Sequence, residues 1–135
     1  MSKPEPDPTE AFLDGATFAV AGASTNRRKY GNKVLRCYMQ NGRHVVPINP
    51  RAVEVEGLAA YPSVAELPEP VHGLSIITPP EVTVQIVKDA LAAGIRYLWM
   101  QPGAEHPGAI AEAESAGATV IHSGPCLLVV LGYRE

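Results

Sequence analysis

The 135 residues make one domain of ordinary size, long enough to bury a core without a metal or disulfides. Hydrophobic residues at 46% and charged residues at 19% describe a globular chain and exclude a disordered one. A net charge of −3 excludes bulk attraction to nucleic acid or to an anionic membrane, so any anion must be captured locally.

Pro4, Pro6 and Pro8 mark the extreme N-terminus, residues 1–6, as a loose tail, and 7–135 is expected to form a single domain. Asp7-Pro8-Thr9-Glu10 starts a short helix, with a capping Asp, proline in the first turn and Glu three residues after the cap; it stops near Gly15. Buried strands and amphipathic helices then alternate: strand 17–21, helix 31–40, strand 44–48. Residues 52–61 read as an irregular excursion holding a short strand around 58–60, and Ser63-Val64-Ala65-Glu66 has the pattern of a capping box and so of a short helical turn. Strand 73–78, helix 80–93, strand 95–100, helix 107–115 and strand 118–122 follow, while 126–132 suits either a last strand or a packed turn. Strands and helices in such close alternation need crossover connections. The expected fold is therefore α/β, a Rossmann-like, doubly wound and mostly parallel sheet with helices on both faces.

In open parallel sheets the ligand sits at the carboxyl ends of the strands, so the candidate site can be taken from the sequence. The first strand breaks at Gly22 into Ala23, Ser24 and Thr25 before a helix, the arrangement that offers backbone N–H groups and a positive helix end to a phosphate. Gly22 is expected to serve close approach of a pyrophosphate or a positive φ, and Gly22→Val to block binding while leaving the chain folded. The loop lacks the further glycines of Gly-x-Gly-x-x-Gly and the Gly-Lys-Ser/Thr of a Walker loop. Instead it carries Arg27, Arg28 and Lys29, a basic cluster at the expected anion site, although a solvated turn shows the same charge run. The next strand ends in Pro47-Ile48-Asn49-Pro50-Arg51, where an NAD-binding domain would place an acidic residue on the ribose; an arginine suits a phosphorylated ribose. There the two prolines stiffen a wall for a base, or simply end the strand. Thr78-Pro79-Pro80 lines the edge, with Thr78 also fit to cap the following helix and Pro79 to occupy its first turn. Gln101-Pro102-Gly103 and Ser123-Gly124-Pro125-Cys126 bring small or flexible residues to the remaining strand ends.

Cys37 lies among apolar residues of a helix and reads as core, whereas Cys126 falls beside the site, as a buried small residue or a reactive thiol. No Cys/His spacing suits a metal, and no Ser/His/Asp set or carboxylate pair accompanies His122, so no catalytic residue is predicted. The first ten residues hold no apolar signal core and the longest apolar run, 127–131, is too short to span a bilayer; a cytoplasmic location is the expectation.

Val20-Ala21-Gly22-Ala23-Ser24, Tyr30-Gly31, Val46-Pro47-Ile48-Asn49-Pro50-Arg51, Ala60-Tyr61-Pro62-Ser63, Pro79-Pro80, Leu98-Trp99-Met100-Gln101-Pro102-Gly103 and the late Cys126 occur in this order over 12–130. In them the chain resembles the small stand-alone CoA-binding proteins, similar to the N-terminal CoA-binding domain of the succinyl-CoA synthetase α subunit. The resemblance implies a coenzyme A or acyl-CoA ligand, with Gly22, Ala23, Ser24 and Thr25 by its phosphates and Arg51 facing the 3′-phosphate. It further places Pro47, Asn49, Thr78, Pro79, Gln101, Pro102 and Gly103 along the groove. Members often carry an arginine before the late cysteine, where this chain has Pro125. The synthetase's phosphorylated histidine belongs to a second domain without counterpart in these residues, so the resemblance implies binding without ligase catalysis. The residues by themselves leave NADP as an alternative. A thiol-dependent enzyme or redox sensor using Cys126, and a module that regulates a partner protein when loaded, are the readings from other classes.

Overall fold

The first apolar run forms β1 (Thr17–Ala21), and every residue of it but Thr17 is buried. A strand buried on both faces must be covered twice, and its alternation shows how. Ala19 and Ala21 belong with Leu74, Ile76, Leu98 and Met100 in one apolar cluster, while Phe18 and Val20 belong with Trp99 in the other. The computed structural model describes residues 7–135, so the tail expected over 1–6 lies outside the described residues.

Four further strands complete an all-parallel sheet with β1: β2 (His44–Ile48), β5 (Gly73–Ile76), β6 (Tyr97–Met100) and β7 (Thr119–Ile121), in the order β2-β1-β5-β6-β7 with β5 at the centre. Helix α3 (Pro80–Ala92) and helix α4 (Pro107–Ser115) cover one face through Val87, Ala90, Ala109 and Ala113. The other face is covered by α1 (Pro8–Leu13) and α2 (Tyr30–Gln40), through Phe12, Val34, Leu35 and Tyr38. Six residues are too few for a helix to stand by itself, so α1 depends on packing. Fully buried Phe12 stacks on Phe18 at 5.5 Å and meets the edge of Trp99 at 5.3 Å, and a buried side chain of that size contributes roughly 1.5–3 kcal/mol. Asp7 caps α1 as expected, its carboxylate accepting from Thr9 N at 2.8 Å. Inside the same layer Tyr38 Oη and Ser75 Oγ share a hydrogen bond of 2.6 Å, which satisfies two buried hydroxyls and pins α2 to β5.

Three segments take shapes that the sequence gives only in outline. The excursion after β2 is an antiparallel hairpin, β3 (Glu54–Val55) and β4 (Leu58–Ala59), turned by Glu56 and Gly57 at φ values of 50° and 82°. Both turn residues are left-handed, as a two-residue hairpin loop requires. The capping-box segment forms a short 3-10 turn, Val64–Glu66, but Ser63 makes no side-chain cap to the backbone. The segment open between strand and turn is a π-helical turn, Leu128–Gly132, packed on the end of α2, where Asn41 Nδ2 donates to Gly132 O at 2.9 Å. Fully buried Leu127 anchors this turn against α2 rather than adding a strand beyond β7. No described helix is long and apolar enough to cross a membrane.

Candidate functional site

The chain leaves β1 through α2 for β2 on one side, then returns to β5 on the other, so the connections after β1 and β5 diverge at the carboxyl edge. That divergence opens a crevice at this edge. Gly22 opens it at φ +94°, and a Cβ placed there would sit 2.2 Å from Ile77 O. The positive φ meets the expectation, but the space a side chain would need is filled by the protein's own backbone. Gly22→Val would therefore strain the sheet edge, a correction to the view that such a variant leaves the fold intact. Gly31, nine residues on, is as tightly placed: its Cβ would meet Gly22 O at 2.0 Å. The first turn of α2 thus packs directly on the glycine turn, a closeness that the usual fingerprint obtains from its third glycine.

The loop between them is held by its carbonyl groups. Asn49 Nδ2 donates to Ala23 O at 2.8 Å, Asn32 Nδ2 to Ser24 O at 2.8 Å and Arg36 Nη2 to Arg27 O at 2.9 Å. Because a trans peptide sets C=O and N–H on opposite sides, tying the Ala23 and Ser24 carbonyls aims the N–H groups of Ser24 and Thr25 the other way. Neither N–H has an acceptor among the described residues. At the start of α2, Lys29 provides no side-chain cap. Ser24, the start of α2 and Lys29 therefore border one place, with Thr25 exposed beside it.

A cleft of about 340 Å³ occupies that place, lined by Gly22, Ala23, Ser24, Lys29, Tyr30, Gly31, Asn49, Pro50 and Ile77. A second cleft of about 210 Å³ continues from it, sharing Tyr30 and Ile77 and reaching Thr78, Pro79, Pro102 and Gly103. Together they make an elongated groove along the edge of β2, β1, β5 and β6. Another cavity of about 270 Å³ lies around Val71 and Ile95, away from this edge, and its charged lining residue Glu69 is already paired with His44 at 2.8 Å.

The remaining candidates divide. Thr25, Arg28 and Arg51 are exposed and line neither cleft, and among the described residues no carboxylate pairs with either arginine. Arg27 turns to Glu56, Nε to Oε1 at 3.5 Å. Pro47 is buried within β2, so Pro50 alone of the two prolines reaches the cleft. Thr78 does not cap α3: Pro79 is the N-cap residue, Pro80 opens the helix, and the Thr78 hydroxyl bonds Thr83 Oγ1 at 2.8 Å.

Sequence reasoning missed the residue that joins the two clefts. Tyr30 lines both; its hydroxyl donates to Gln101 Oε1 at 3.2 Å and touches Cys126 Sγ. Burial, then the contact with Cys126, pushes its phenol well above the usual tyrosine range, so it stays neutral. An aromatic residue next to Gly31 was the available signal. Glu56 and Asn32 were also missed. Glu56 Oε2 accepts from Asn32 Nδ2 at 3.1 Å, a contact made only because the hairpin folds back over α2. His122 Nδ1, away from both clefts, shares a hydrogen bond of 2.6 Å with the neighbouring Ser123 Oγ. Among the described residues no cluster of His, Cys, Asp and Glu could hold a metal.

Comparisons with known proteins agree with this fold. The α subunit of an ADP-forming acetate–CoA ligase II from Pyrococcus furiosus is 33% identical over 86 residues, 63% of this chain but 19% of that subunit's length. A conserved hypothetical protein of known structure from Pyrococcus furiosus superposes at TM-score 0.80 with 41% identity, covering 84% of this chain and 97% of that one. The dinucleotide-forming acetyl-coenzyme A synthetase 1 of Ca. Korarchaeum cryptofilum, solved with phosphate and ADP, superposes at TM-score 0.72 with 30% identity, over 79% of this chain and 25% of its own. A family model described as a CoA binding domain matches residues 16–132, nearly the whole sequence, and the chain belongs to that family.

Proposed function

We propose that this domain binds coenzyme A or an acyl-CoA without catalysing a reaction on it. The ligand's pyrophosphate lies at the Gly22 turn, its 3′-phosphate near Arg51, and its pantetheine arm runs along the groove toward Pro102 and Gly103. The observation that carries this reading is the pair of unpartnered N–H groups of Ser24 and Thr25, aimed away from carbonyls that Asn49 and Asn32 hold. A charge of −3 over the whole chain makes such local capture necessary, and backbone donors at a helix N-terminus suit a pyrophosphate. The exposed guanidinium of Arg51 lies three residues beyond β2, within the segment where a ribose substituent is read in this type of sheet. The family match favours CoA over NADP, the other ligand with a phosphorylated ribose. Two free thiols accord with work in a reducing, cytoplasmic setting.

Titration calorimetry with CoA, dephospho-CoA and NADP tests the reading. CoA is expected to bind tightest and dephospho-CoA more weakly. Equal affinity for CoA and dephospho-CoA would remove the 3′-phosphate contact, and NADP binding as tightly as CoA would overturn the choice of ligand.

A further inference from the structure

Tyr30, which lines both clefts, touches a sulfur that lines neither. Cys126 is half-buried and its Sγ touches the Tyr30 hydroxyl, which itself donates to Gln101 Oε1. The same Oε1 accepts from Leu127 N at 2.9 Å, so the Gln101 amide lies between the residue that covers the thiol and the residue that follows it. Gln101 is fully buried, and its Nε2 has no hydrogen-bond partner among the described residues. Turning the amide over does not help, because it would set a donor against the Leu127 N–H. A buried amide donor left open is costly. Beside Cys126, therefore, a buried donor is left without an acceptor among the described residues.

On the proposed CoA reading, on which this inference rests, the arm that passes Tyr30 carries amide carbonyls and ends in a thiol. We infer that Cys126 is the acceptor site for oxidised CoA, forming a mixed disulfide with it while a carbonyl of the arm meets Gln101 Nε2. The Cys126 sulfur attacks one sulfur of CoA disulfide, the S–S bond breaks, a Cys126–CoA disulfide forms, and the second CoA leaves as a thiol carrying the proton that Cys126 gives up. CoA disulfide is the oxidant and no other is needed. Tyr30 suits both states of the cysteine. Its hydroxyl donates to Gln101 while accepting from the thiol, and turns to donate to the sulfur once the thiol has lost its proton, leaving Gln101 Oε1 to Leu127 N–H. Leu127 turns into the core, so the thiol sits at the rim while its apolar neighbour anchors the turn.

Intact-mass analysis after incubation with CoA disulfide decides the matter, on wild type, Cys126→Ser and Cys37→Ser, each checked for an unchanged thermal transition. The expected result is one CoA adduct on wild type and Cys37→Ser, removed by a reducing agent, and none on Cys126→Ser. Should Cys126→Ser fail to fold, peptide mapping of the wild-type adduct locates the modified residue. Glutathione disulfide should react at least about tenfold more slowly, since a bound disulfide has a raised effective concentration at the thiol. Adduct formation on Cys37, no adduct, or equal rates with the two disulfides would each overturn the inference. If calorimetry then still shows CoA binding, the groove reading stands without it; loss of both would remove the two together.

Discussion

Gly22 meets two demands in one residue. Its φ of +94° disfavours an L side chain, and the direction a Cβ would take is blocked 2.2 Å away by Ile77 O on the returning chain. Gly22→Ala is expected to lower stability by more than about 2 kcal/mol, the left-handed penalty plus the clash, with CoA binding falling alongside. A variant with a wild-type thermal transition would show that the backbone relieves the contact at little cost. Arg51 is the opposite case, an exposed side chain whose loss should leave the fold untouched. Arg51→Ala should weaken CoA by about 1.5 kcal/mol, the low end of the range for a charged hydrogen bond because the site is wet, and should leave dephospho-CoA unchanged. Equal losses for both ligands would make the arginine structural. Arg27, held by Glu56 at 3.5 Å, should matter less, with Arg27→Ala costing under about 1 kcal/mol.

At the scale of elements, the loop from Gly22 to Lys29 and helix α2 act as a single unit because buried Asn32 joins them. Its amide donates to Ser24 O and Glu56 and accepts from Arg36 Nε at 2.6 Å, so three segments meet on one side chain. Asn32→Leu keeps the branching of the side chain but leaves those partners open. It should cost about 1–3 kcal/mol in stability. Its more telling effect is on the ligand, since the freed Ser24–Thr25 peptide no longer aims its N–H. Calorimetry should show at least a tenfold weaker affinity for CoA, equivalent to about 1.4 kcal/mol. Destabilisation with unchanged affinity would show that the loop keeps its orientation without the brace. The β3–β4 hairpin takes part through Glu56, whose left-handed φ of 50° is the cost of bringing a carboxylate over α2.

Across the whole molecule, the layer between α2 and the sheet holds groups that resist ionisation. Burial pushes the Cys37 thiol from 9.0 to about 11, with the neighbouring Cys126 adding to the rise. Burial drives Tyr38 well above the usual tyrosine range, and Tyr30 shifts the same way. A raised acid is neutral in the folded chain while its unfolded counterpart ionises, so the stability it contributes is complete below pH 9.0 and is lost as pH climbs through about 11. Urea midpoints should fall across that window, and Cys37→Ala should flatten the fall while the tyrosines keep part of it. A midpoint independent of pH would contradict the burial of this layer. Local patterns in the sequence were enough for the alternation of buried strands and amphipathic helices, the Asp7 cap, the glycine break after β1 and the strand ends that form the edge, since each depends on neighbours a few residues apart. They were not enough for the partners of Arg27, the burial of Pro47, the cap of α3 or the meeting of Tyr30, Gln101 and Cys126. Tyr30 and Cys126 are 96 positions apart, and Glu56 reaches Asn32 from 24 positions away through a two-residue turn. Such contacts depend on how the crossovers bring distant strand ends to one edge, and no local periodicity encodes that distance; the sequence by itself determined the layers and the edge, and only the tertiary structure decided which side chains face one another there.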